Sequence, residues 1–166
     1  NLVAVGSSYT ETFTIQNLNV PIYQVANLTI SNVTISGTHA SMFSIVASPP
    51  ATVATGVPET FQLKFTPTSS GVKTATLTIT NNDLDEGSYA ITLNGSGTVP
   101  EINLQDSAGN VLNGGTSTAN TNFNLVAVGS SYTETFTIQN LNVPVYQVAN
   151  LTISNVTISG TDASMF

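Results

Sequence analysis

The sequence predicts an all-β protein built from antiparallel two-sheet β-sandwiches in tandem. Apolar and polar residues alternate with a period of two over much of the chain, and helical periodicity is nearly absent. Turn-forming pairs such as Asn94-Gly95 separate the alternating stretches. The segment Asn1–Phe43 also recurs without a gap at Asn124–Phe166. A closed barrel is the alternative fold, because alternation alone does not distinguish it from a sandwich.

The repeat defines the predicted domains. Its period is 123 residues, and only two of its 43 positions differ. We predict that residues 1–98 form one sandwich that lacks its own first strand. Residues 99–166 form the N-terminal part of the next, near-identical sandwich, with the boundary at Pro100. We interpret the chain as a window cut from a longer array.

Individual strands follow from the alternation. They are rich in Thr, Val, Ile and aromatic residues, which fit a half-buried pleated surface. Between Ile30 and Val33 the apolar phase changes, which predicts a bulge or a tight turn. The predicted strands are Tyr9–Asn17, Asn27–Ser36, Phe61–Pro67, Lys73–Asn81, Ser88–Gly95 and Glu101–Gln105. The residues predicted to face the core from the third to the fifth strand are Phe61, Leu63, Phe65, Ala75, Leu77, Ile79, Tyr89, Ile91 and Leu93.

Composition excludes several classes of partner. Charged residues make up 7% of the chain and the formal net charge is −7, with Lys64 and Lys73 as the only lysines or arginines. Nucleic-acid binding needs a basic surface, which these two residues do not provide. We expect no membrane insertion, because no apolar stretch is long enough for a membrane helix. The chain has no cysteine, so disulfides and thiolate metal sites are excluded.

A set of short motifs runs from the middle of the chain into the second copy. They are F-x-P at Phe65–Pro67, S-G-x-x-x-A-x-L-x-I at Ser70–Ile79, N-D-x-D-E at Asn82–Glu86, an approximate L-x-G-x-G at Leu93–Gly97, P-E-I-N-L at Pro100–Leu104 and V-G-S-S-x-T-x-T-F-T-I-x-N at Val128–Asn140. With these motifs the chain resembles the bacterial choice-of-anchor D repeats and the related ASPM–SPD-2–Hydin (ASH) modules. The resemblance implies an immunoglobulin-like sandwich in tandem arrays of large exported bacterial surface proteins, and it implies no particular chemistry.

One segment departs from that family pattern. Leu18–Thr29 is longer than the short turn usual at this place, and it is rich in apolar residues. We predict that this insertion packs against a neighbouring domain or another chain. The predicted contact residues are Val20, Ile22, Tyr23 and Val25, with Tyr146 as the counterpart of Tyr23 in the second copy.

Two loops contain candidate sites. Asp83, Asp85 and Glu86 form the one carboxylate cluster, and their oxygens are ligands of the kind that Ca²⁺ prefers. The alternative is a solvated turn in which Asp and Asn shape the backbone, and we expect no cofactor. Ser107 lies in the tripeptide D-S-A, which resembles the O-glycan acceptor of some Bacteroidota.

The sequence does not predict an enzyme. The single histidine, His39, is replaced by Asp162 in the second copy, which argues against a catalytic or metal-binding role. We therefore predict an exposed loop residue there. The leading hypothesis is a structural tandem repeat of a large extracellular or cell-surface bacterial fibre or appendage. Its expected partners are neighbouring repeats and other copies of the same protein. The alternatives are an adhesin module that binds a glycan or surface ligand through its loops, and an ASH-type scaffold.

Overall fold

A computed structural model describes residues 1–18, 26–109, 121, 123–141 and 149–166. The chain divides into two compact units, Asn1–Val99 and Pro100–Phe166, which we call unit 1 and unit 2. Strands dominate the described residues, and helical structure is limited to short 3₁₀ turns. The predicted all-β class is therefore confirmed.

Eight strands form the described part of unit 1. They are β1 (Leu2–Ala4), β2 (Tyr9–Gln16), β3 (Leu28–Ser36), β4 (Phe43–Ala47), β5 (Thr52–Val53), β6 (Pro58–Phe65), β7 (Gly71–Asn81) and β8 (Ser88–Thr98). A 3₁₀ turn at Ala40–Met42 leads into β4. Of these strands, β1, β4 and β5 were not predicted from the sequence.

The strands of unit 1 form two sheets. The first has the order β1-β8-β7-β3-β5 and the second has the order β2-β6-β4. All neighbours are antiparallel except β1, which runs parallel to β8. A single bridge between Asn17 and Thr55 links segments that follow β2 and β5. The register of β3 on β7 shifts between Ile30 and Asn32, so the predicted bulge is confirmed.

One hydrophobic core joins the two sheets. Phe65 in the second sheet stacks on Phe43 with ring centroids 4.8 Å apart. From the first sheet, Gly95 approaches the same ring so closely that a Cβ there would lie 2.6 Å from it. The side chain of any larger residue would push the sheets apart at this point. The buried residues of the core are Val3, Ile30, Phe43, Val53, Phe61, Leu63, Phe65, Ala75, Leu77, Ile79 and Leu93.

The predicted inward faces of β6 and β7 are confirmed, since every core residue predicted there is buried. On β8 the prediction holds for Leu93, whereas Ile91 is half-buried and Tyr89 is 49% exposed. Tyr89 is therefore not a core residue. It lies opposite Ile79 near the end of the sheet, where the inner face is open to solvent.

Unit 2 has less regular structure over its described residues. Strand β9 (Ile102–Gln105) pairs antiparallel with β10 (Thr137–Asn140). A 3₁₀ turn at Ala163–Met165 is the counterpart of Ala40–Met42. None of the described helices is long and apolar enough to cross a membrane.

Candidate functional site

The acidic turn Asn81–Gly87 connects β7 to β8, and Asn81 organises it. The Asn81 amide donates to the Gly87 carbonyl at 2.9 Å, and its side-chain Nδ2 donates to the Glu86 carbonyl at 3.0 Å. Asn81 Oδ1 accepts from the Asp83 amide at 2.7 Å. The Asn81 side chain thus satisfies two groups of the turn backbone, as Asn commonly does in turns, and its own amide closes the turn.

The neighbouring Asn82 fixes this turn to the start of β3. Its Oδ1 accepts from the Thr29 amide at 2.7 Å, and its Nδ2 donates to the Asn27 carbonyl at 3.3 Å. The backbone amide of Asn82 also donates to the Thr29 carbonyl at 3.1 Å. The amide oxygens of Asn81 and Asn82, two of the ligands considered for Ca²⁺, are therefore engaged by backbone donors.

The carboxylate of Asp83 also takes part in the turn, where its Oδ1 accepts from the Asp85 amide at 3.2 Å. Hydrogen bonds from the side chain and backbone of Asp85 hold the pKa of Asp83 below its usual range. Leu84 at the tip is fully exposed. Among the described residues there is no group of three His, Cys, Asp or Glu side chains arranged to hold a metal ion. Calcium binding by Asp83, Asp85 and Glu86 stays a prediction.

A cleft lies beside β2 on the inner face of unit 1, and we call it the β2 cleft. Phe13 and Ile15 of β2 form one wall, and Tyr89 and Ile91 of β8 face them from the other sheet. Leu28 lines its end. These apolar side chains are exposed or only half-buried, so the core of unit 1 is incompletely covered at the cleft. The acidic turn also lines it.

Asn17 closes the base of the insertion next to this cleft. Its Nδ2 donates to the Ala26 carbonyl at 2.8 Å and lies 3.3 Å from the Val53 carbonyl. The same bond recurs in unit 2, where Asn140 Nδ2 donates to the Ala149 carbonyl at 2.8 Å. Sequence reasoning missed this role. The signal available was an Asn directly before the insertion in both copies.

The predicted contact residues of the insertion lie outside the described residues. Val20, Ile22, Tyr23 and Val25 fall in residues 19–25, and Tyr146 falls in residues 142–148. Their proposed contacts with a neighbouring domain or chain therefore stay a prediction.

Ser107 lies in a tight turn that follows β9. Gly109 donates to the Asp106 carbonyl at 3.0 Å, and the Asp106 carboxylate accepts from the Ala108 amide at 2.9 Å. Ser107 is exposed at the tip, and its hydroxyl lowers the pKa of Glu134 by hydrogen bonding to the carboxylate. The residue is accessible, and its glycosylation stays a prediction.

His39 is less exposed and makes more hydrogen bonds than the sequence predicted. It is half-buried, and its Nδ1 accepts from the Thr74 amide of β7 at 3.1 Å. The backbone amide of His39 donates to the Thr74 carbonyl at 3.3 Å. The expectation of an exposed loop residue was therefore wrong. An Asp carboxylate also accepts hydrogen bonds, so an Asp at this position retains an acceptor for the backbone amide.

Comparison with known proteins gives solved structures that are similar only at low sequence identity. No family model and no curated protein matches the sequence. Among solved structures, the secreted serine protease VesC from Vibrio cholerae matches at 18% identity and a TM-score of 0.44, over 60% of this chain and 22% of the protease. The Vibrio cholerae VesB protease matches at 17% identity and a TM-score of 0.39, over 58% of this chain and 29% of the protease. The chain therefore spans less than a third of either protease. Similarity at this level establishes neither a shared fold nor a shared activity.

Proposed function

We propose that this chain is part of a structural tandem array with immunoglobulin-like sandwich units, exported to the bacterial cell surface as a stalk, fibre or appendage. The near-identity of Asn1–Phe43 and Asn124–Phe166 is the observation that carries this proposal. Repeats of this kind make each unit contact its neighbours in the same way, so the length of the array grows with the number of copies.

The architecture of unit 1 supports the immunoglobulin-like assignment. Sandwiches of this class pack two sheets over one core. Unit 1 places a three-stranded sheet, β2-β6-β4, against a five-stranded sheet over one core. The motifs that resemble choice-of-anchor D repeats lie in the same elements, and Gly95 of the L-x-G-x-G motif contacts Phe65 of the F-x-P motif.

The surface chemistry supports a structural role over a catalytic one. Polarity comes mainly from Thr, Ser and Asn rather than from the 7% of charged residues. The acidic turn uses its asparagines to hold its own backbone. A weakly charged surface suits an array that must be long and chemically inert.

The proposal is tested by making chains of two, four and eight periods of 123 residues. Their maximum dimension is measured by small-angle X-ray scattering. We expect the length to increase by a constant amount per period. A maximum dimension that stays constant while the volume grows contradicts a stalk. Saturable binding of a glycan to a chain of two periods would instead favour the adhesin alternative.

A further inference from the structure

Strand β3 has an open edge beyond the residues that β5 covers. β5 pairs with the first two residues of β3, and the Ile30 amide donates to the Ala51 carbonyl at 2.9 Å on the same side. Over residues 32–36, β3 pairs with β7 and with no other strand among the described residues. We call the unpaired side of residues 32–36 the β3 edge.

The β3 edge is separate from the edge of β2, at which the repeat places another strand. In unit 2 that strand is β9, and it pairs with β10, which repeats part of β2. β2 lies across the core from β8, because Phe13 and Ile91 line the same cleft. β3 lies beyond β7 from β8 in the other sheet. The strand that the repeat supplies to β2 therefore does not pair with the β3 edge.

Hydrogen bonds of β7 determine which backbone groups of β3 point outward. The Asn81 amide at the end of β7 donates to the Gly87 carbonyl at 2.9 Å, on the side of β8. Because backbone groups alternate along a strand, those of Thr78 point towards β3. Thr78 lies opposite Thr34, so these two residues exchange backbone hydrogen bonds. The backbone groups of the two sequence neighbours of Thr34 therefore point to the open side.

These neighbours are Val33 and Ile35. Their N–H and C=O groups have no partner among the described residues. Both side chains face inward and are half-buried against the core, whereas Thr34 is exposed on the outer face. The β3 edge thus presents backbone donors and acceptors beside apolar side chains that are only partly covered.

The β3 edge lacks the features that prevent pairing with another strand. Edge strands are commonly protected by charged residues, proline or a bulge. β4, at an edge of the other sheet, has such a bulge, because its register on β6 shifts between Ile45 and Ala47. On β3 the shift lies before the β3 edge, between Ile30 and Asn32. Residues 32–36 contain neither a charge nor a proline.

The β3 edge is complementary to itself. When two copies align antiparallel about Thr34, Val33 of each copy lies opposite Ile35 of the other. Because both residues point their backbone groups to the edge, each of these pairs exchanges two hydrogen bonds. Directly opposite residues share a face of the sheet, so the apolar residues meet on the inner face. Thr34 meets Thr34 of the other copy on the outer face.

The elements at both ends leave room for this pairing. β5 covers only the start of β3. At the other end, Gly37 has a φ of +103°, and its carbonyl accepts from the Ala40 amide at 3.1 Å. The His39 amide then donates to the Thr74 carbonyl of β7 at 3.3 Å. The chain therefore turns towards β7 after β3 and does not cross the open edge.

We propose that the β3 edges of two copies of this chain pair with each other as antiparallel strands. Pairing satisfies the outward backbone groups and covers Val33 and Ile35, and removing apolar surface from water favours it. Both copies use the same surface, so the contact closes at two chains. Residues 151–159 repeat β3 without change, so the units of an array carry the same edge. The inference rests on the proposed structural role for the step from paired chains to paired arrays.

The first test measures self-association of the full chain by sedimentation velocity. We expect a concentration-dependent dimer. Thr34→Lys and Thr34→Glu each place like charges opposite each other and should weaken dimerisation at least about fivefold. An equimolar mixture of the two variants places opposite charges together and should restore dimerisation to at least the wild-type level. Thr92→Lys and Thr92→Glu, at an exposed position of β8, are the matched controls and should dimerise like the wild type.

The second test measures amide hydrogen exchange at increasing chain concentration. Protection of the Val33 and Ile35 amides should rise with concentration in the wild type and not in Thr34→Lys. The Thr34 amide, which is bonded to β7, should be protected at every concentration and serves as the internal control.

Two results overturn the proposal. One is a wild-type chain that stays monomeric at every concentration. The other is an association that Thr34→Lys and Thr34→Glu leave unchanged, since another surface would then hold the copies together. Either result is independent of the length scaling that tests the structural role, so a constant length increment per period with no β3 pairing contradicts this inference alone.

Discussion

The first copy, Asn1–Phe43, and the second copy, Asn124–Phe166, have nearly the same sequence in different surroundings. The first copy contributes β1, β2, β3 and the first residue of β4 to unit 1. Over its described residues, the second copy forms one strand, β10, and one 3₁₀ turn. The difference shows which structures these residues form from their own sequence and which structures form only when partner strands are present.

Local turns are retained in both copies. The Ser7 amide donates to the Ala4 carbonyl at 2.9 Å, and Ser130 donates to Ala127 at the same distance. The 3₁₀ turns at Ala40–Met42 and Ala163–Met165 follow glycines with positive φ, at +103° for Gly37 and +124° for Gly160. Because each of these turns is closed by residues within a few positions, its own sequence is sufficient to form it.

Most of the strands are not retained. Ile30 is 8% exposed in β3, whereas its counterpart Ile153 is 49% exposed and lies outside any strand. β3 pairs with β7 and β1 pairs with β8. These partners follow the first copy in sequence, and among the described residues the second copy has no equivalent of them. Whether these residues form strands therefore depends on partner strands that supply backbone hydrogen bonds and cover their apolar side chains.

The largest effect is expected when the partners are removed altogether. A peptide of residues Asn1–Phe43 alone should lose β1, β2 and β3, because an isolated segment has neither ladder partners nor a core. Far-UV circular dichroism and the dispersion of amide NMR signals measure this. Retained strand signals at low peptide concentration would show that the segment forms its strands without β6, β7 and β8.

A matched pair of substitutions, one in each copy, should change the free energy of unfolding by different amounts. Ile30→Ala removes a buried side chain from the core and should lower the free energy of unfolding of unit 1 by about 2–4 kcal/mol. Ile153→Ala removes an exposed side chain and should change the stability of either unit by less than about 0.5 kcal/mol. Urea unfolding of the full chain gives both values. Equal effects would contradict the difference in packing between the copies.

The His-to-Asp difference gives a smaller effect. His39→Leu leaves the Thr74 amide without its acceptor and should cost unit 1 about 1–3 kcal/mol. His39→Asp reproduces the residue of the second copy and keeps an acceptor, so it should be nearly neutral. Thermal unfolding of the two variants measures the contrast. If His39→Asp is as destabilising as His39→Leu, the ring makes a contact that an acceptor alone does not replace.

The smallest effect is expected in the acidic turn. The pKa of folded Asp83 is lowered, so its contribution to stability is present above its unfolded pKa of about 3.9 and is lost as the pH falls below it. Asp83→Asn should therefore lower the Tm slightly at pH 7, where the contribution is fully present, and flatten the acid limb of the stability curve below about pH 5. Leu84→Asn, at the exposed tip, is the control with an unchanged acid limb. An unchanged acid limb in Asp83→Asn contradicts the assignment.

Sequence reasoning was most successful where a strand carries its own strong pattern. β6 and β7 have three inward apolar residues each, and their alternation alone predicts their core faces. β1 and β5 have only three and two residues, too few for a period to be visible. Tyr89 has the right phase on β8 but lies at an open end of the core, which alternation cannot reveal.

The candidate sites depend on contacts between residues distant in sequence, and these could not be predicted. Asn82 and Thr29 are 53 residues apart in the sequence, yet their hydrogen bonds fix the acidic turn to β3. The contact of His39 with Thr74 spans 35 residues. The sequence indicated a turn at the acidic cluster. It did not indicate which backbone groups form hydrogen bonds with the asparagines of that turn.

The most direct test of this account is to append the residues Ser44–Thr98 after Phe166 and to measure amide hydrogen exchange. The appended segment supplies the second copy with its own β6, β7 and β8. Protection at Ile153, Val156 and Ile158 should then rise to the level of Ile30, Val33 and Ile35. If these amides of the second copy stay unprotected while unit 1 remains folded, partner strands do not determine the structure of the repeat, and the account of a tandem array of equivalent units is contradicted.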